Sequence, residues 1–228
     1  MTDTAPARRR TPQAGPPLPA PAAAALALSV AAGVAFAAGP RPDTGAGAVL
    51  DYLRDHDART RLVAFLVLAT ALPITVFGAT VYRRLRRLGV TAPGSVVALA
   101  GGVLAAGSLV LSGIATWAAG HGADALEPGL ARALVDIAFA AGGVGVTAPL
   151  ALLLGGVAVP CLVLRLAPRP LALAGLVLAA TGAVSTLALL SSALYPLLPV
   201  VRFGGLAWLV VVGFALPATR HARSGTPA

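Results

Sequence analysis

Six stretches of this chain are each long and apolar enough to cross a lipid bilayer, and together they contain no glutamate, lysine or histidine. A spanning helix rises about 1.5 Å per residue through about 30 Å of hydrocarbon, so it needs about 20 apolar residues. The stretches are 21–39, 62–82, 95–119, 137–158, 171–194 and 197–218. The last reaches span length only if it starts near Leu197 and takes Arg202 into its first turns, where an arginine can snorkel to the interface. Lipid offers no partners for backbone N–H and C=O groups, which leaves helices or closed barrels. Barrel strands alternate apolar and polar residues, whereas these runs are apolar on every face. The expected fold class is all-α: a polytopic transmembrane bundle of six helices in one domain, residues 21–218.

Composition agrees. Of 228 residues, 57% are hydrophobic and 11% charged, with a mean hydropathy of +0.86. A soluble domain carries about 25% charged residues, so this chain lacks the polar material to cover a water-facing surface. The tails, 1–20 and 219–228, have no apolar periodicity and are expected to be disordered and cytoplasmic. One cysteine, Cys161, excludes an intramolecular disulfide.

All 17 basic residues are arginine, and their distribution sets a direction. With the N-terminus inside, eleven fall on the inner side and six on the outer, while seven of the eight acidic residues fall outside. The first inner loop is short and follows the motif VYRRLRRLG, with Arg83, Arg84, Arg86 and Arg87 in five positions. Short basic loops stay in the cytoplasm, so both termini are expected there, in a bacterial inner membrane. The motif abuts spans on both sides and lacks stacking aromatics, which argues against nucleic acid. It reads as a topology anchor whose partner is the phospholipid headgroup. A rival reading of the N-terminus stays open: Arg8–Arg10, an apolar run and Ala35-Phe36-Ala37 form a signal-peptide pattern with an A-x-A cleavage site.

Between the first two spans, Ala46, Val49, Leu50 and Leu53 recur on one helical face. This predicts an amphipathic helix over about 46–57, lying on the membrane surface or capping the bundle. Asp55, His56 and Asp57 there, with His121, Asp124 and Glu127 in the second outer loop, are residue types that bind divalent metals. They match no ligand spacing, so they read as solvated charge and no metal or cofactor is assigned. Asp136 and Arg202 stand at the outer mouths of the fourth and sixth spans as a candidate ion pair, with Arg132 the more local partner for Asp136. Pro73 and Pro149, near mid-span, are candidate helix breaks. Ala98, Gly102 and Ala106, and Ala138 with Gly142, form small-residue rows that let helices approach closely or let two copies dimerise. Gly142-Gly143-Val144-Gly145 reads as packing. Tyr82, Trp117 and Tyr195 lie near span ends, as interfacial anchors do. No phosphate loop, dinucleotide fingerprint, HExxH or GxSxG occurs, and no catalytic residues are assigned.

With YLRDHDARTR ahead of a span, YRRLRR after it and Trp208 in the sixth helix, the chain resembles small bacterial six-helix membrane proteins grouped under a domain of unknown function. The resemblance implies the six-helix architecture and brings no activity. The expected function is a structural, accessory or partner-binding bundle, acting as a homo-oligomer or with a partner membrane subunit. The alternative is a passive or weakly coupled small-solute transporter using breaks at Pro73 and Pro149. An outer-face sensor is a further reading.

Overall fold

The computed structural model describes residues 17–37 and 39–217; most of the predicted tails lies outside them. Among these residues every regular element is helical: α1 (Pro19–Phe36), α2 (Ala46–Asp55), α3 (Asp57–Arg87), α4 (Gly94–His121), α5 (Pro128–Gly142), α6 (Val144–Val163), α7 (Arg169–Val184) and α8 (Leu197–Ala215), with short 3₁₀ turns between. Six of the resulting segments are long and apolar enough to cross a membrane, α5 and α6 counting together as the fourth. Large side chains such as Phe65, Leu72, Val163 and Phe214 point outward, as a lipid-facing surface requires. The chain has the architecture of a multi-pass membrane protein.

Each long helix packs on the next, and α8 returns to α1, closing a ring. Neighbours run antiparallel: Gly120 of α4 lies on Thr60 of α3 and Gly102 on Gly78, while Gly94 meets Pro160 of α6 and Gly101 meets Leu153. These pairings gather α2 and the α4–α5 loop at one end, the α2 end. The turns 88–93 and 164–168 lie at the other, the arginine end. Helix α4 is the axle. Its Gly94, Ala98 and Gly101 press on α6 while Gly102 and Gly113 press on α3. The single small-residue row legible in the sequence is therefore two rows on different faces. A Cβ on Gly101 would lie 2.5 Å from Leu153 N and 2.6 Å from the Pro149 carbonyl oxygen, and one on Gly156 would lie 2.6 Å from Ala98 N. No side chain fits at either position.

The candidate breaks fall elsewhere than expected. α3 runs unbroken through Pro73 and α6 through Pro149. The fourth span is interrupted instead at Gly143 (φ −91°, ψ −99°), inside the run read as packing. A Cβ there would approach the Phe139 carbonyl oxygen to 2.8 Å, so glycine is what allows the chain to turn so tightly.

At the arginine end α3 stops where Gly89 adopts φ 86°. Val90 N–H donates to the Leu85 carbonyl and Gly89 N–H to the Arg86 carbonyl, a left-handed helix cap. Leu85 and Leu88 are buried in the bundle while Arg83, Arg86 and Arg87 face outward. Arg84 turns back to donate to the Leu216 carbonyl at 3.2 Å. The motif thus staples α3 to the end of α8 as well as presenting charge.

Replacing Gly101 or Gly156 by alanine is expected to destabilise the bundle by about 1–3 kcal/mol through overpacking. Gly107→Ala, where nothing lies within 4 Å, is expected to be neutral or slightly stabilising. SDS-titrated unfolding in mixed micelles, followed by far-UV circular dichroism, measures the difference. Equal effects at all three positions would contradict the packing described.

Candidate functional site

At the α2 end the helices separate around a cavity of about 330 Å³. Its roof is α2. Val49, Leu50 and Leu53 are buried against Ala119, Ala123 and Ala131, and Arg54 Nε donates to the Ala123 carbonyl at 3.2 Å. The amphipathic segment caps the bundle. Tyr52, Leu53, Pro40 and Pro42 close the cavity from above, Val63 and Val67 of α3 and Thr116 of α4 form one side, and Phe139, Leu198 and Phe203 form the other.

The polar features of the cavity follow from the break in the fourth span. Ending a helix leaves carbonyls without an intrahelical donor, and a neighbouring helix supplies one. Arg202 Nη1 of α8 donates to the Gly142 carbonyl at 3.2 Å, and Ser112 Oγ of α4 adds a bond to the Ala138 carbonyl, one turn before the break, at 2.8 Å. A guanidinium at a helix C-terminus also meets the negative end of the helix dipole. Beyond the break, Thr147 and Ser185 hydroxyls bond at 2.8 Å and Ser185 Oγ donates to the Gly182 carbonyl at 2.7 Å. This ties the restarted helix to α7 where it loosens into a 3₁₀ turn.

Arg202 and Asp136 both line the cavity, but they do not form the ion pair considered from sequence. Asp136 is held bidentately by Arg132, Nε to Oδ2 at 3.0 Å and Nη2 to Oδ1 at 2.7 Å. Arg132 also donates to the carbonyls of Arg41, Pro42 and Thr44, so it fastens the α1–α2 loop across the mouth. Local geometry decides this: residues four apart on a helix meet without any help from tertiary packing. Arg202 is left with one neutral acceptor, and its Nη2 is buried without a hydrogen-bond partner. Ser29 Oγ of α1, on the same cavity, is likewise buried and unpartnered. An unsatisfied buried polar atom costs about 1–3 kcal/mol, more if charged.

The loop residues considered as metal ligands stay apart. The His56 ring stacks on Tyr52, Asp57 pairs with Arg61, and the His121 ring stacks on Trp117. Among the described residues no three His, Cys, Asp or Glu side chains gather as a metal site would need. Tyr195 meets Phe139 edge-on near the cavity floor, and Trp208 is buried with Nε1 donating to the Leu171 carbonyl. Sequence reasoning missed Ser29, Ser112 and the Thr147–Ser185 pair. The Gly142-Gly143 doublet inside a span was the available signal for the break.

No family model matches the chain, and no curated protein or solved structure matches it significantly.

Arg132→Gln is expected to free the α1–α2 loop. Amide exchange over 41–46 should accelerate about ten- to a hundredfold in hydrogen–deuterium exchange, the range for losing charge-assisted bonds. Unchanged exchange would mean that the loop is held by something else.

Proposed function

We propose that the chain is a multi-pass protein of the bacterial cytoplasmic membrane, with both termini in the cytoplasm, that acts as a non-enzymatic accessory bundle. It takes a ligand or partner at its outer face and does not carry a solute across. We place it, on architecture, with the small six-helix bacterial proteins of unknown function that it resembles.

The one-sidedness of the interior carries this reading. Toward the α2 end a cavity opens between α1, α3, α4, α5 and α8, whereas toward the arginine end α4 and α6 touch backbone to backbone at Gly94–Gly156 and Gly101–Leu153; α3 and α4 stay close along both halves, at Gly78–Gly102 and at Ala64–Gly113. A carrier alternates access around a central site by moving one bundle against another, and these crossings leave no seam for it. The prolines that suggested such a mechanism do not break their helices. Catalysis finds no support in the cavity either, because its one carboxylate, Asp136, is engaged by Arg132. Since α2 roofs the cavity, an outer-face sensor is the second reading, with occupancy reported by movement of the roof. Outward orientation of the α2 end rests on the arginine distribution, and the arginine end then lies among anionic headgroups.

Single cysteines in a Cys161→Ser background test both parts. On intact cells an impermeant maleimide should label Asp43→Cys and not Thr91→Cys; the reverse pattern would invert the orientation. A small charged methanethiosulfonate should reach Ser29→Cys from the α2 end and should not reach Thr70→Cys, fully buried one turn beyond Val67. Labelling of Thr70→Cys from either side would indicate a continuous polar path and favour the transporter.

A further inference from the structure

We propose that the cavity at the α2 end binds a monoanionic amphiphile: a singly charged oxyanion, carboxylate or phosphodiester, carried on an apolar body. This rests on the reading above for its access from outside, and on three features of the cavity for its chemistry.

The first is where unsatisfied polarity lies. Among the described residues three buried side-chain polar atoms lack a hydrogen-bond partner: Ser29 Oγ, Ser95 Oγ and Arg202 Nη2. Two of them belong to residues that line this one cavity, on different helices, and both atoms are buried behind its surface. Ser29 is 1% exposed, and a helical serine without a ligand ordinarily bonds back to its own helix. The helices that carry the two atoms are in contact. A Cβ on Gly33, one turn along α1 from Ser29, would lie 3.3 Å from the Phe203 ring, which follows Arg202.

The second feature is charge. The cavity lining carries Asp136, neutralised by Arg132, and Arg202, whose only bonded partner is the neutral Gly142 carbonyl. One positive charge is therefore uncompensated in a buried site, where a lone ion is costly. A monoanion balances it, a dianion overshoots and a cation is repelled. A small turn of each side chain toward the space lets Nη2 donate to the anionic oxygen and lets Ser29 Oγ supply a further donor from the neighbouring helix.

The third is the remaining wall. Phe36, Val63, Val67, Phe139, Leu198 and Phe203 enclose the rest of the space, and they reward apolar contact. A volume of about 330 Å³ equals on the order of ten waters at about 30 Å³ each, which suits a body of about ten heavy atoms such as octanoate.

The test uses the full chain in phosphatidylcholine nanodiscs, measuring retention of radiolabelled octanoate and, separately, octanol, each against empty discs. Octanoate is expected to bind at least about tenfold more tightly than octanol, since only the charged oxygen forms the charge-assisted bond. Arg202→Gln should weaken octanoate about ten- to a hundredfold and leave octanol unchanged, while Arg202→Lys, which keeps the charge, retains part of the preference. Equal binding of octanoate and octanol by the unmodified chain would overturn the proposal without reliance on any variant. So would undiminished octanoate binding by Arg202→Gln. Phosphatidylglycerol added to the discs separates the sources: displacement of octanoate identifies a lipid phosphodiester as the occupant, and octanoate binding undisturbed by it identifies a free carboxylate. If Ser29→Cys is labelled from outside while octanoate shows no preference over octanol, the outward cavity stands and the ligand class falls.

Discussion

Along nearly its whole length α4 touches two other helices through glycine, alanine and serine, α3 on one face and α5 with α6 on the other. Lipid tails are as apolar as leucine, so association within a bilayer gains little from hiding apolar surface and depends on close dispersion contacts. Glycine at Gly101 and Gly156 removes the side chains that would hold the axes apart. Once α4 and α6 are fixed at the arginine end, the remaining helices have a rigid pair to pack against.

At the other end α5 takes the place of α6 against α4. Past Ser108 the fourth span is interrupted at Gly143, and the Gly142 carbonyl it leaves open is met by Arg202. A helix break away from solvent draws donors from its neighbours, and an arginine brings a charge that a carbonyl does not neutralise. The cavity and its positive character thus share an origin, since the interruption that opens the space also demands the guanidinium. The roof follows from a simpler rule: α2 has one apolar face, and the alanines of α4 and α5 at the mouth provide somewhere to bury it.

The spans were legible because hydrocarbon thickness imposes a length that composition alone reveals, and the α2 face because its apolar residues recur at helical spacing. The helix break was not. Proline is the residue that breaks helices in general, yet Pro73 sits within a continuous helix and Pro149 lies in the second turn of one, whereas the doublet Gly142-Gly143 looks the same whether it packs or turns. The pairing of Asp136 was half legible: helical spacing favours Arg132, and only tertiary structure shows Arg202 turned toward Gly142 instead. Ser29 was invisible as a site residue, because a lone hydroxyl in an alanine-rich span carries no pattern. Its meaning comes from what α8 and α3 place opposite it.

The bundle described here is closed at one end by backbone contact and open at the other around an uncompensated arginine. An experimental density map of the full chain in a lipid nanodisc tests this most directly. The map is expected to show α4 and α6 in backbone contact from Gly94 to Gly101, an interruption at Gly143, and a space that opens only toward α2, beside Arg202. A continuous space running from that mouth to the turn at Gly89, with α4 and α6 drawn apart, would contradict that arrangement.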